Sequence, residues 1–394
     1  MIEEYPRPTL QQNALAPCLL VFVLTLLLIP SAKASSPNDF AFYWTAARLT
    51  LDGANPYSPA DTEALQQRLS FQGKGRLVML NPPWTLPLIA PFGLLPYSTA
   101  SSLWFLLQLS LLLISIQWLW QLYGRVMSPW IGWLVSVTFL PLAVVLAIGQ
   151  IGPLMLFGIA GFLRFETRRH DYLAGALLFL AAVKPHLIYL LWIALFLDAV
   201  RHRRWKPFAS FAGVLTCASL VAIFLDYRVF QQYLELVAGG GLVSAEMPTL
   251  GGLMRHISGL ALLQFLPIAV AAGWFAIYWI RQRAGWNWQE QLPELLLASV
   301  VSTSYSWFFD QVVLLPSLIC ATGLALRLRP ARLAAAVAGY ALVNCVVLLL
   351  ILTHRTTFWY SWTAFAWLAL YAFVRVGVPT SSPVHEPVNV PPRS

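Results

Sequence analysis

Apolar residues run through this chain in blocks too long and too uniform to be the buried faces of surface helices. Between Arg76 and Arg125, and again between Arg125 and Arg164, no Asp, Glu, Lys or Arg occurs, whereas one membrane span needs only about 20 apolar residues. The blocks do not alternate apolar with polar positions, which argues against membrane-spanning strands. Backbone groups in hydrocarbon are then satisfied within helices. The pattern predicts an all-α, polytopic membrane bundle of roughly ten or more membrane helices.

Its order along the chain follows from the interruptions. A first apolar run, Leu15 to Ile29, has the length of a signal peptide. Glu3 and Glu4 in front of it and the weak Ser31-Ala32-Lys33-Ala34 cleavage pattern favour a retained anchor. A polar stretch over 33–81 reads as the first external loop. In it Phe40, Tyr43, Trp44, Ala47 and Leu51 recur at helical spacing opposite Asp39, Arg48 and Asp52, which predicts an amphipathic helix lying at the interface. A short helix from Asp61 to Leu69 and a flexible Gly73-Lys74-Gly75-Arg76 follow. Pro87, Pro91 and Pro96 make the start of the Trp84 to Trp120 block short or kinked. Gly149-Gln150-Ile151-Gly152-Pro153 interrupts Trp130 to Leu163, and Lys184-Pro185-His186 interrupts Tyr172 to Asp198.

The last of these blocks carries arginine clusters on both flanks. A single span would put one cluster outside, so two half-helices that dip in and return, with Lys184 near the turn, fit the charge rule better. Phe208 to Leu225 then crosses outward. A second external loop, 226–258, contains an amphipathic part (Tyr227, Phe230, Tyr233, Leu234, Val237) and a Gly239-Gly240-Gly241 hinge. Further segments fall at about Leu260 to Ile280, Leu295 to Phe309, Val312 to Leu326, Leu333 to Leu352 and Trp359 to Val374. Residues 1–376 thus form one transmembrane domain, and the Pro- and Ser-rich tail, 377–394, reads as disordered.

Composition agrees with this and removes one class of function. Of the 394 residues 59% are hydrophobic and 10% charged, against roughly 25% charged in average soluble domains, which excludes a soluble globular enzyme. The formal charge of +9 needs no nucleic-acid partner, because the basic residues collect in short loops as positive-inside clusters: Arg164, Arg168, Arg169; Arg201, Arg203, Arg204, Lys206; Arg281, Arg283; Arg327, Arg329, Arg332. Cys18, Cys217, Cys320 and Cys345 sit in apolar stretches without metal-ligand or disulfide spacing. No nucleotide-binding glycine loop and no carboxylate cluster asks for a metal, so neither metal nor cofactor is expected.

Sorting the 16 carboxylates by inferred side leaves Asp39, Asp52, Asp61, Glu63, Asp226, Glu235, Glu246 and Asp310 outside. Asp39 stands either as the N-cap of its helix or as a reactive carboxylate. Asp310, in Tyr305-Ser306-Trp307-Phe308-Phe309-Asp310-Gln311, is either an interfacial turn residue or a functional group at bilayer level. Lys184, set among apolar residues, must snorkel, pair with a carboxylate or hold an anion. His186 accompanies either role, and Arg255-His256 is a further external cationic pair able to meet a phosphate.

Several strings in order resemble glycosyltransferase family 87: Asp39-Phe40-Ala41-Phe42-Tyr43-Trp44-Thr45-Ala46-Ala47, Gly53-Ala54-Asn55-Pro56-Tyr57, Asn81-Pro82-Pro83-Trp84, Gly149-Gln150, the Gly175 to Lys184-Pro185 helix with its basic loop, and Tyr305-Ser306-Trp307 before Asp310-Gln311. The resemblance runs over about residues 37–320. It implies a GT-C bundle in the cytoplasmic membrane, with its active site on the external face and a mannosyltransferase activity that uses a polyprenyl-phosphate sugar donor. It also implies a general base in the first external loop, where Asp39 stands, and a phosphate-binding His in the late segment, where this chain has Asp310.

On that reading Asp39 removes the acceptor proton while Lys184, with His186, Arg255 or His256, meets the phosphate. Tyr43, Trp44 and Tyr57 stack on sugar or serve as interfacial aromatics. The partners expected are membrane lipid, the lipid-linked donor and an envelope glycolipid or glycan acceptor. A transporter or lipid flippase using Lys184 and Asp310 as a pathway remains the alternative from another class, and a GT-C ligase or polymerase the alternative within it.

Overall fold

A computed structural model describes residues 39–68, 78–124, 128–239 and 247–378. The expected anchor at Leu15 to Ile29, the Gly73 to Arg76 segment, most of the glycine hinge and the C-terminal tail lie outside the described residues. Every regular element among the described residues is helical. In chain order they are α1 (Phe40–Leu51), α2 (Pro59–Arg68), α3 (Leu86–Gly93), α4 (Tyr97–Tyr123), α5 (Pro129–Thr138), α6 (Leu140–Ala147), α7 (Gly152–Glu166), α8 (Asp171–Leu178), α9 (Tyr189–His202) and α10 (Trp205–Leu225). They continue with α11 (Val229–Ala238), α12 (Leu250–Ser258), α13 (Leu266–Gln282), α14 (Trp288–Ser302), α15 (Leu315–Ala325), α16 (Pro330–Leu352) and α17 (Thr363–Gly377).

The all-helical membrane character is present, and among the described residues fewer helices than the expected ten are long enough to cross. Five helical stretches have the length and apolarity of a span: Tyr97–Tyr123, Trp205–Leu225, Ala261–Gly285, Phe308–Ala325 and Pro330–Leu352. A sixth arises if α5 and α6, bent by 61° at Phe139, count as one. The other apolar blocks are cut into pieces of 8 to 15 residues, and 15 residues of helix reach only about 22 Å. The bend before Pro141 is held by α16: the Leu140 N–H donates to Asn344 Oδ1 at 3.1 Å, and Thr138 Oγ1 lies 3.0 Å from the Tyr340 hydroxyl.

Three of the long helices, α10, α13 and α16, stand outside, whereas the Phe308–Ala325 stretch is largely buried. On α10, Leu220, Val221, Ile223 and Phe224 are exposed, and α13 and α16 similarly expose Val270, Ile277, Ile280, Val337, Leu342 and Leu349. Apolar surface on that scale belongs against lipid. By contrast α7 is buried almost all round, packed against α4, α8 and the 3-10 turn Phe308–Leu314.

Two expectations change. Helix α1 is buried more completely than an interfacial helix: Phe40, Ala41, Tyr43, Trp44, Ala46, Ala47, Leu49 and both threonines are buried, with Phe40 and Trp44 packed against α3 and the start of α4, and only Arg48 and Asp52 keep the exposure that spacing assigned to them. Gly93 permits the α1–α3 contact, since a Cβ there would lie 2.8 Å from the Ala47 carbonyl carbon. The late block also ends sooner than expected: α14 stops at Ser302, and residues 303–307 form an irregular link.

The segment from α8 to α9 does return on itself. Arg204, just beyond α9, donates to Glu166 Oε1 at 2.8 Å, before the segment, and to Asp171 Oδ1 at 3.2 Å, at its start. Both flanks therefore meet at one end, and the break at Lys184 lies at the other. In a variant without native cysteines, Arg168→Cys and Arg203→Cys are predicted to react with a membrane-impermeant maleimide from the same side, and Asp52→Cys from the opposite one. Labelling of Arg168→Cys and Arg203→Cys from different sides would show a single crossing.

Candidate functional site

Three helix breaks and the start of α1 converge on one cavity. Helix α6 ends at Ala147, and Gly149 takes a left-handed φ of 72° that turns the chain before α7 starts at Gly152-Pro153. Its carbonyl accepts the Trp104 indole N–H at 2.8 Å, and Trp104 stacks on Phe40 of α1. The Asp39 N–H donates to the Ile148 carbonyl at 2.7 Å, so the beginning of α1 and the turn carrying Gln150 are held together.

The second break has a local cause. Lys184 precedes a proline, which disfavours the helical region, and it adopts φ −137° and ψ 71° between two 3-10 turns, Phe179–Val183 and Pro185–Ile188. The carbonyls freed by the break find partners in the 81–84 segment. Asn81 Nδ2 donates to the Val183 carbonyl at 2.8 Å and the Trp84 indole N–H to that of Ala182 at 2.9 Å. Asn81 is fixed in turn by the Tyr57 hydroxyl, which donates to its carbonyl at 2.9 Å. The third break brings in Asp310, whose Oδ2 accepts the Trp307 N–H at 2.9 Å as the 3-10 turn Phe308–Leu314 begins.

The side chains from these four places form one hydrogen-bonded chain. Gln150 Nε2 donates to Asp39 Oδ2 at 2.7 Å. Gln150 Oε1 accepts from the Tyr43 hydroxyl at 2.7 Å and from Lys184 Nζ at 3.1 Å. Lys184 Nζ also donates to Asp310 Oδ1 at 2.6 Å and lies 5.4 Å from the centre of the Phe309 ring. Asp310 is 1% exposed and Lys184 9%. Asp39 is half-buried, with part of its surface on the cavity. The protein around its carboxyl holds the pKa above the ordinary carboxylate value; the Gln150 hydrogen bond and the Lys184 charge pull it down and the Asp310 charge pushes it up.

The cavity itself measures about 330 Å³ and is lined by Asp39, Tyr43, Gln150, Lys184, His186 and Tyr305, with Asn81, Tyr233 and further aromatics around them. That is small-molecule scale, at the lower end of roughly 300–1,000 Å³. Two larger clefts, about 650 and 500 Å³, are lined mostly by apolar side chains between outer helices. The first holds the Glu294–Arg375 ion pair at its edge but no amide that bridges an acid to a cation, and the second has no charged lining residue.

Of the candidate residues, Asp39, Tyr43, Lys184 and His186 line the cavity, His186 with its ring 5.4 Å from Tyr305. Asp310 lies against Lys184 and is not itself part of the lining. Four others are placed differently. Trp44 is buried with its indole N–H on the Leu95 carbonyl, and Tyr57 packs on Tyr233 while holding Asn81. Arg255 bonds Gln264, and His256 packs on Phe358. The Asp39 side chain makes no N-cap bond, and Asp310 is an ion-pair partner rather than an exposed turn residue. Gln150, Asn81 and Tyr305 are the site residues that spacing did not single out. The signal for Gln150 was present, as the polar side chain in the glycine-proline break of an otherwise uncharged block.

The comparisons with known proteins bear on this arrangement. No curated protein matches the chain. The model of glycosyltransferase family 87 matches residues 80–304, a segment that carries Asn81, Gln150, Lys184 and His186, while Asp39 and Asp310 flank it. The match covers more than half of the sequence and includes the amide and the ammonium on which the cavity is built, and so the chain belongs to glycosyltransferase family 87.

Proposed function

We propose that this glycosyltransferase moves a hexose, mannose by its family resemblance, from a polyprenyl-phosphate donor to an envelope glycolipid or glycan on the external face of the cytoplasmic membrane. The observation that carries the proposal is the bridge of Asp39 and Lys184 by one amide in one cavity. A lipid-phosphate sugar needs both groups: a cation for the phosphate and a base for the acceptor hydroxyl. Its lipid tail stays in the bilayer, which suits a site buried among membrane helices with apolar clefts along the outer ones.

In the proposed reaction Lys184 meets the phosphate and His186 lies beside it at the cavity wall. The acceptor hydroxyl lies against Asp39, which takes its proton as the oxygen attacks the anomeric carbon. The bond from that carbon to the phosphate oxygen breaks, and its electron pair remains on the phosphate, stabilised by the ammonium. Attack from the face opposite the leaving group inverts the anomeric centre through an oxocarbenium-like transition state, by analogy with inverting glycosidases. Tyr43, through Gln150, orients the amide and does not reach the reacting atoms directly.

With a radiolabelled polyprenyl-phosphate sugar, Asp39→Asn is predicted to lower transfer by about 10²- to 10⁴-fold, the usual contribution of a general base, with unchanged donor binding. Full activity in that variant would remove Asp39 as the base. The pH profile supplies a separate test, because Asp39 acts ionised: transfer is present above its folded pKa and lost as pH falls through it. Gln150→Leu removes a bond that favours the ionised form, so its acid limb is predicted at higher pH than that of the native protein. A limb that stays in place would show that another group titrates.

A further inference from the structure

Lys184 already has a carboxylate partner, and the chemistry of the reaction makes that partner informative. The ammonium has three N–H donors, and the structure uses two of them, on Gln150 and Asp310. The charged and titratable groups around it are Asp39 on α1, Tyr43 one turn further, His186 two residues on, Tyr305 in the 303–307 link, and Asp310. Two carboxylates thus lie around a single ammonium, Asp310 in direct contact and Asp39 through Gln150. A cavity arranged only to attract an anion would not place a buried carboxylate 2.6 Å from its cation.

Product release gives a reason for it. The donor is a phosphodiester with one negative charge, and the product is a lipid phosphate monoester carrying up to two at neutral pH. During transfer the acceptor proton moves to Asp39, so one negative charge disappears there and one appears on the phosphate. The most highly charged ligand of the cycle is therefore the one that must leave.

We infer that Asp310 is the internal counter-ion of the phosphate subsite: it holds Lys184 in the empty site, shares it with the donor phosphate, and competes for it against the lipid phosphate product. This rests on the proposed role of Lys184 toward phosphate and makes Asp310 a positioning and specificity-determining residue, with no contact to the sugar. Asp310 thus weakens monoester binding more than diester binding and leaves uncharged lipids unaffected.

The test uses the purified full chain in lipid nanodiscs at pH 8 and three probes of one tail length: farnesyl phosphate, its methyl diester and farnesol. In Asp310→Asn the monoester is expected to bind about tenfold tighter than in the native protein, the diester less than that, and farnesol equally, because removing a neighbouring anion favours the ligand with more charge. Multiple-turnover transfer should slow by a larger factor than the first turnover does. Asp310→Glu, which keeps the charge, should retain the native order of affinities. Equal weakening of all three probes, or no change in the monoester-to-diester ratio, overturns the inference and leaves Asp310 with a packing role.

Should Asp310→Asn fail to fold, the native protein still decides: a preference of about tenfold or more for the monoester over the diester contradicts a competing counter-ion, and near-equal affinities support it. The underlying reading fails separately. If Lys184→Gln binds both phosphates as well as the native protein does, the lysine is not the phosphate group. If Lys184→Gln loses them while Asp310→Asn leaves the ratio unchanged, only the counter-ion fails.

Discussion

A carboxamide carries its donors on one atom and its acceptor on the other, and Gln150 uses both: its nitrogen serves the Asp39 carboxylate, its oxygen the Tyr43 hydroxyl and the Lys184 ammonium. Only a group with both polarities can join an acid to a base while keeping them from forming a direct ion pair. A direct pair would occupy the carboxylate that the acceptor hydroxyl needs. The bridge keeps Asp39 available to a hydroxyl and Lys184 available to an anion within one cavity, and hydrogen bonds to charged groups of this kind contribute about 1.5–3 kcal/mol each.

The fold supplies this arrangement by breaking helices rather than by extending them. Gly149, Lys184-Pro185 and the 3-10 turn at Asp310 each expose backbone inside the protein, which is tolerated at membrane depth where protein covers it. Asn81, Trp84 and Trp104 satisfy the freed carbonyls with side-chain donors. Lys184 stands at the far end of a hairpin whose two ends are tied by Arg204, and the ion pair to Asp310 stabilises it there. Leaving such a charge without its partner costs about 3–5 kcal/mol. The long lipid-facing helices enclose these breaks and contribute little to the site.

Much of this was legible in the chain. The charge-free blocks announced membrane helices, the arginine clusters announced the returning segment with Lys184 at its turn, and the family resemblance singled out Asp39, which spacing left as either a helix cap or a reactive carboxylate. What spacing could not convey was a second layer. Residues 40–51 have the period of an interfacial helix, and only the packing of 86–93 against Phe40 and Ala47 shows that the apolar face is turned into the protein. Trp44 and Tyr57 follow the carboxylate in sequence but do not line the cavity, because side-chain direction depends on which neighbour packs where. The pairing of Lys184 with Asp310 spans 126 positions and leaves no local pattern.

The central claim is that Asp39 and Lys184 face the two sides of one lipid-linked sugar. An experimental structure with a non-transferable phosphonate analogue of a polyprenyl-phosphate hexose tests this most directly. The account predicts a phosphonate oxygen within hydrogen-bonding distance of Lys184 Nζ, with the anomeric carbon between it and the Asp39 carboxylate. A phosphonate held elsewhere, or Asp39 on the same face of the sugar as the leaving group, would contradict it.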